Sequence, residues 1–321
     1  MNKINLLVTG GCGFIGSNFI NHIFPNKIYR IINIDALYYC ANINNINKNI
    51  QDSEDYIFIK GNINSVDLIN HILIEYNIQQ IIHFAAQSHV SNSFKDSILF
   101  TTDNILGTHN LLECCRQYGK IIKFIHVSTD EVYGESMINI NEQSKTEHSI
   151  LCPTNPYAAS KAGAELIAQS YNHSYNMPII ITRGNNVYGP NQYPEKLIPK
   201  FIKLLKENKK VTIEGDGSNV RAFLYSTDTV RAFEIILSKG KIGEIYNIGC
   251  DHNMEYTVLE IAKILIKLIH NTDNYEKYIE YVEDRPFNDK RYYISNLKLK
   301  NLDWDVNVKL LDGLKELINI S

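Results

Sequence analysis

Short, continuous apolar runs alternate with longer stretches whose apolar residues recur every three or four positions through the first half of the chain. Residues 4–9, 29–34, 56–60, 81–84, 122–128 and 179–182 read as strands. Residues 14–22, 66–76, 96–118 and 156–175 read as helices between them. Strands that are apolar along their whole length are covered on both faces, and strand–helix alternation lets them run parallel. Ligands of such sheets bind outside the carboxyl ends of the strands.

The rhythm changes after Arg183. Pro190, Pro194 and Pro199 punctuate a loop and a short helix at 200–207. Residues 223–237 return to strand-then-helix, and 244–248 read as a seventh sheet strand. The tail is helical from about residue 252, then irregular around Arg285-Pro286. The expectation is an α/β chain in two parts. Residues 1–184 with 223–250 form a doubly wound parallel sheet, and 185–222 with 251–321 form a smaller, discontinuous C-terminal lobe.

Composition narrows the function classes. With 321 residues the chain needs no disulfide or metal staple to build a core. The 32 basic and 35 acidic residues leave a formal charge of −3, which argues against a nucleic-acid binder. The six cysteines have no C-x-x-C or zinc spacing, and the ten histidines form no H-E-x-x-H. No metal is expected, and the thiols read as reduced in a cytoplasmic setting. The first apolar run, 4–9, is too short for an export signal or a membrane span, so no membrane partner is expected.

Two motifs carry chemistry. Thr9-Gly10-Gly11-Cys12-Gly13-Phe14-Ile15-Gly16 follows the first strand and opens the first helix. Gly10, Gly13 and Gly16 have the spacing for a tight turn, close approach to a pyrophosphate and close helix packing, the Rossmann-type arrangement. The helix N-terminus offers N–H donors to the phosphates. Asp35 lies 19 residues beyond Gly16 at the end of the second strand. Its carboxylate suits the ribose hydroxyls of NAD and repels a 2′-phosphate. Tyr157-Ala158-Ala159-Ser160-Lys161 then places Tyr157 and Lys161 on one helix face. A nearby ammonium and a nicotinamide cation are expected to favour the phenolate, so that Tyr157 takes a proton from an alcohol as hydride leaves.

With these motifs the chain resembles the extended short-chain dehydrogenases/reductases that modify nucleotide sugars, over nearly its whole length. Ser128-Thr129-Asp130-Glu131-Val132-Tyr133-Gly134, at the end of the fifth strand, resembles the nucleotide-diphosphoglucose 4,6-dehydratases. The resemblance implies oxidation at C4 of glucose, loss of water across C5 and C6, and return of hydride to C6. It implies Tyr157 as base, with Lys161 beside it and Thr129 bonding the C4 oxygen. Glu131 would remove the C5 proton and a protonated Asp130 would release the C6 hydroxyl. Two adjacent carboxyls raise one pKa, which keeps an acid available at neutral pH.

Further site residues follow from the resemblance. Phe14, Ile15, Asn62, Ile63, Ala85 and Ala86 would join the glycines and Asp35 at the cofactor. Ser88, Asn186, Glu195, Lys196 and Leu197 would line the substrate. Arg221 and Arg285, with Asn247, would meet the diphosphate, since guanidinium forks match phosphate oxygens. Some positions depart from the bacterial pattern. Gln87 stands where a Glu is usual, Asn288 near a usual His, and Asn62 where an Asp would contact adenine. Gln87, Asn185-Asn186 and Arg285-Pro286-Phe287-Asn288-Asp289 resemble the dehydratase part of plant UDP-rhamnose synthases, which tilts the base from thymine toward uracil. Animal dTDP-glucose-type relatives share Gln87, so both nucleotides stay open, as does an epimerase or decarboxylase of the same family, or a silent nucleotide-binding scaffold. The resemblance also implies a homodimer through helices 96–118 and 156–175. No second reductase domain is visible, so a separate epimerase and reductase are expected to act on the product.

Overall fold

The computed structural model describes residues 3–138, 142–284 and 288–320. Six strands of the large sheet come first: β1 (Ile4–Thr9), β2 (Tyr29–Asp35), β3 (Tyr56–Lys60), β4 (Gln80–His83), β5 (Lys123–Thr129) and β6 (Ile179–Gly184). Three strands of the small lobe follow: β7 (Asn186–Tyr188), β8 (Val211–Glu214) and β9 (Val220–Tyr225). Then come β10 (Ile245–Ile248), β11 (Glu255–Thr257) and β12 (Ile279–Val282). The large sheet has seven parallel strands in the order β10-β6-β5-β4-β1-β2-β3. This is a Rossmann-type doubly wound sheet, and residues 244–248 supply its seventh strand through β10. The order reverses beside β1, so a crevice opens between the carboxyl ends of β1 and β4.

Each face of that sheet has its own core. Leu6, Val8, Ile31, Ile82 and Ile125 pack with the Phe14–Ile23 and Ser226–Lys239 helices through Phe19, Ile20, Phe233 and Ile236. Leu7, Ile32, Ile81, Phe124 and Ile181 pack on the other face with Ile69, Leu73, Leu111 and Ala168. Alternate residues of a strand face opposite sides, so a strand needs apolar residues at every position to serve both cores.

The smaller lobe pairs β11-β9-β7 in one sheet and β12-β8 in another. The Leu197–Lys206, Val258–His270 and Leu310–Ile320 helices cover them. Residues 223–225 lie in β9, so they pair within this lobe, and the chain rejoins the large sheet's core at the Ser226–Lys239 helix. Leu299 and Trp304, late in the tail, also pack into the large sheet's core. The stretch expected as one helix over 96–118 is segmented. Val90–Lys95 and Ser97–Phe100 are separate short helices, Thr101–Leu106 is a wide turn of π type, and Gly107–Tyr118 is α-helical. The Asp96 side chain accepts the Leu99 N–H and restarts the helix there. Among the described residues, no helix is long and apolar enough to cross a membrane.

The Pro156–Tyr175 helix begins as its sequence signals. Asn155 is the N-cap, its side chain accepting the Ala158 N–H at 2.9 Å, and Pro156 fills the first helical position. A buried ion pair locks this helix to β6: Arg183 Nε donates to Glu165 Oε1 at 3.1 Å. Arg183 also donates to the Tyr133 hydroxyl at 2.6 Å and the Glu147 carbonyl at 3.1 Å. Removing one partner of such a pair leaves an uncompensated buried charge. Glu165→Ala should therefore lower the free energy of unfolding by about 3–5 kcal/mol. Glu165→Leu combined with Arg183→Met should recover most of that loss. Urea-unfolding midpoints of the two variants check both statements.

Candidate functional site

Two adjoining cavities open at the carboxyl ends of the large sheet's strands. The first is lined by Gly10, Gly13, Phe14, Ile15, Gly16, Asp35, Asn62, Ile63, Ala85, Ala86, Tyr157 and Lys161, which are all twelve residues expected at a dinucleotide. The second is lined by Ser88, Glu131, Asn186, Glu195, Lys196, Leu197 and Arg221. Ser88, Glu195 and Lys196 border both.

The glycine turn sits in the switch-point crevice. Gly10 has φ +70°, and a Cβ there would lie 2.6 Å from the Ala85 nitrogen, just past β4. The turn can approach β4 only because that atom is missing. At Gly16 a Cβ would collide with the Gly10 carbonyl, so the helix could not pack onto the turn. The Asp35 carboxylate accepts N–H bonds from Cys12 at 2.9 Å and Leu37 at 2.8 Å. Burial pushes its pKa up, and the Leu37, Cys12 and Gly13 N–H groups push back. A side-chain-free cradle beside a fixed carboxylate fits a pyrophosphate and a ribose diol. Asn62 donates to the Tyr38 hydroxyl, while its oxygen accepts the Asn64 N–H at 2.8 Å, leaving one lone pair for a ligand.

Tyr157 lines the first cavity and Glu131 the second, whereas Thr129 and Asp130 line neither. Thr129, Asp130 and Glu131 leave β5 in a single tight turn, with the Thr129 hydroxyl accepting the Glu131 N–H at 3.3 Å. Asp130 is buried. Asn185 donates to its Oδ2 at 2.6 Å, and the Thr129 hydroxyl donates to its Oδ1 at 3.3 Å. Burial and then the Glu131 charge push the Asp130 pKa up to about 7 against the bonds from Asn185 and Thr129 and the charge of Arg221. Burial also raises Glu131, opposed by a bond from Asn155 Nδ2 at 3.1 Å and by the charges of Arg221 and Lys196.

Tyr157 differs from the sequence expectation. Its pKa is pushed well above the ordinary tyrosine value, first by burial and then by the Glu131 and Asp130 charges, with a Thr129 hydrogen bond opposing. Lys161 is not among the groups that shift it, and its ammonium donates to the Val127 carbonyl at 2.6 Å. Burial lowers Lys161 to about 8.

Around the second cavity, Glu195 accepts the Tyr39 hydroxyl at 2.8 Å and Lys196 donates to the Ser88 carbonyl at 3.0 Å. Arg221 donates to Asn288 Oδ1 at 3.1 Å, and its guanidinium lies 5.1 Å from the centre of the Tyr292 ring. Asn247 is not brought to either cavity. It is fully buried, accepts the Tyr133 hydroxyl at 2.8 Å, and donates to Lys145 and Glu147. It serves the network around Arg183 instead of a ligand. Arg285 lies outside the described residues. His83 is engaged on both ring nitrogens by the Thr9 and Thr108 hydroxyls, at 2.7 and 3.0 Å. Among the described residues, no group of three or more His, Cys, Asp or Glu is placed to hold a metal.

Sequence reading missed four residues here. Asn155 was findable, since an Asn directly before Pro is an N-cap signal. Asn185 faces Asp130 from 55 residues away. Tyr292 and Asp289 line the second cavity and bond each other, with the Tyr292 hydroxyl 3.4 Å from Glu131 Oε2. Nothing local in the sequence marks these three as partners of the pair.

A glycine cradle at the switch point, facing a buried Tyr-x-x-x-Lys helix, defines the short-chain dehydrogenase/reductase class. Within it, the chain belongs to the GDP-mannose 4,6 dehydratase family, whose sequence model matches residues 7–317. It is 49% identical over 316 residues to a trifunctional UDP-glucose 4,6-dehydratase/UDP-4-keto-6-deoxy-D-glucose 3,5-epimerase/UDP-4-keto-L-rhamnose-reductase of Arabidopsis thaliana. That match covers 97% of this chain and 46% of the plant protein, so the chain spans about half that relative's length. It is 47% identical to a dTDP-D-glucose 4,6-dehydratase of Dictyostelium discoideum, covering 97% of this chain and 80% of the relative. A solved dTDP-glucose 4,6-dehydratase from Bacillus anthracis, in complex with NAD, superposes with a TM-score of 0.89 at 43% identity, covering 98% of this chain and 96% of that one.

The Asp130 environment predicts a pH effect on stability. The folded chain keeps the Asp130 proton up to about pH 7, whereas an unfolded Asp releases it near pH 4. Stability from this group therefore falls as pH rises between those values, and above pH 7 the full cost of the buried carboxylate is present. Asp130→Asn should raise Tm relative to the parent at about pH 8, with the difference vanishing toward about pH 4. Thermal unfolding across that range reads it.

Proposed function

We propose that the chain is an NAD-dependent nucleotide-diphosphoglucose 4,6-dehydratase, converting UDP-glucose or dTDP-glucose to its 4-keto-6-deoxy derivative. The observation that carries this reading is the Asp130–Glu131 pair close to Tyr157, with Tyr157 lining the first cavity, Glu131 the second, and Asp130 buried next to Glu131. A 4-epimerase needs no elimination acid and leaves that pair without a task. The relatives named for 4,6-dehydration support the same reading.

The Gly10–Gly16 turn and the N-terminus of the Phe14–Ile23 helix would hold the pyrophosphate of NAD, Asp35 a ribose, and Asn62 with Ile63 the adenine side. When bound, NAD supplies the acceptor for hydride leaving C4 and the donor for hydride reaching C6. Tyr157 takes the proton of the C4 hydroxyl, and Thr129 offers the C4 oxygen a hydrogen bond. The C4 ketone acidifies C5–H, and Glu131 accepts that proton. Asp130, close to half protonated at neutral pH, gives its proton to the C6 hydroxyl as water leaves. Each such role is worth about 10²–10⁴ in rate. Arg221, braced by Asn288 and the Tyr292 ring, is the described residue suited to the diphosphate. Exposed Ile98, Leu106 and Leu166 on the helical face support the homodimer reading.

The resemblance of Asn185-Asn186 to the dehydratase part of plant UDP-rhamnose synthases favours UDP-glucose over dTDP-glucose, and the product would stand on a route to rhamnose-type deoxysugars completed by further epimerase and reductase steps. Parallel assays of the two substrates, following alkali-induced absorbance of the 4-keto sugar with mass confirmation, should give faster turnover of UDP-glucose. Asp130→Asn combined with Glu131→Gln should still reduce the cofactor on adding substrate but release little product. Tyr157→Phe should abolish even the reduction. Normal turnover by the carboxyl variant would refute the assigned roles.

A further inference from the structure

Asn185 sits in the one-residue link between β6 and β7 and is nearly buried. Its backbone N–H donates to the Ile248 carbonyl at 3.0 Å, and its side-chain oxygen accepts the Cys250 N–H at 3.1 Å. Both contacts come from the segment leaving β10. They fix which way the amide faces, so its NH2 group points at Asp130 and meets Oδ2 at 2.6 Å. An NH2 group donates and cannot accept. A proton on Oδ2 would therefore collide with the Asn185 donor, whereas Oδ1 faces the Thr129 hydroxyl at 3.3 Å, which can turn its hydrogen away and accept a proton held there.

We propose that Asn185 is a positioning residue that holds the acid proton of Asp130 on Oδ1, the oxygen on the Thr129 side. This rests on the 4,6-dehydratase reading and names the atom that performs its elimination step. In that step Glu131 takes the C5 proton, and the C5–H electron pair becomes the C5–C6 π bond. The C6–O bond breaks, and the hydroxyl leaves as water with the Oδ1 proton. Asn185 also steadies the ionised form, so it limits how far burial and Glu131 raise the acid. The other charged and titratable groups facing Asp130 are Arg221 from β9, Tyr157 from its helix and Cys250 beyond β10.

The test is Asn185→Ala in single-turnover experiments across a pH series, following reduced-cofactor absorbance and 4-keto-6-deoxy product separately. Reduced cofactor should form at the parent rate and accumulate, because elimination slows by about tenfold to a hundredfold. The alkaline limb of the elimination rate should move up by about one to two pH units, because the carboxylate has lost a donor. An unmoved limb with parent-rate elimination would overturn the proposal. So would an equal fall in both half-reactions, which is what general loss of structure produces. If Asn185→Ala does not fold, Asn185→Asp keeps the shape and the acceptor for Cys250 but replaces the donor. It should move the limb the same way and further, and an unmoved limb again overturns the proposal. Failure of the parent chain to form reduced cofactor or product from either sugar would instead refute the dehydratase reading.

Discussion

Two carboxyl groups side by side in the protein interior are the constraint that the rest of the site answers to. Asp130 and Glu131 are consecutive, Asp130 is buried and Glu131 half-buried, and the Glu131 charge raises the cost of ionising Asp130. The surroundings separate them. Asn185 and Thr129 bond Asp130, Asn155 bonds Glu131, and the Arg221 charge acts on both. Coulombic terms of this kind are stronger in a buried site than in water. The Asp130 pKa is thereby held near 7.

The scaffold supplies those partners from elements that also carry the fold. Asn155 uses its oxygen to start the Pro156–Tyr175 helix and its nitrogen to bond Glu131. Forming the helix and setting the base are therefore one event. That helix presents Tyr157 and Lys161 on one face, and it is anchored to β6 by Glu165 and Arg183. The link from β6 to β7 brings Asn185, β9 brings Arg221, and the tail brings Tyr292 and Asp289. The small lobe builds its own core and also supplies these groups to the end of β5.

Local pattern made much of this legible. The whole-length apolar strands predicted a parallel sheet covered on both faces, and the glycine turn with Asp35 lines the first cavity. The Tyr157 helix was readable to the residue, the stretch 156–175 being the observed Pro156–Tyr175 helix. What escaped was set by tertiary contact. Asn247 carries the same polar groups as a ligand-binding Asn, yet the fold turns it toward Tyr133. The segmented stretch before Tyr118 has helical periodicity throughout, but a π turn at Thr101–Leu106 places Asp103 at the first cavity. Spacing put Lys161 beside Tyr157, while the Val127 carbonyl decides where its ammonium goes.

The central claim is that one bound sugar is oxidised, dehydrated and reduced again without leaving the junction of the two cavities. Glucose deuterated at C4, supplied as its UDP and dTDP derivatives, tests it most directly. The account predicts a 4-keto-6-deoxy product that has lost water and carries the deuterium on C6. Product without deuterium on C6, or a C4 epimer that retains its C6 hydroxyl, would contradict it.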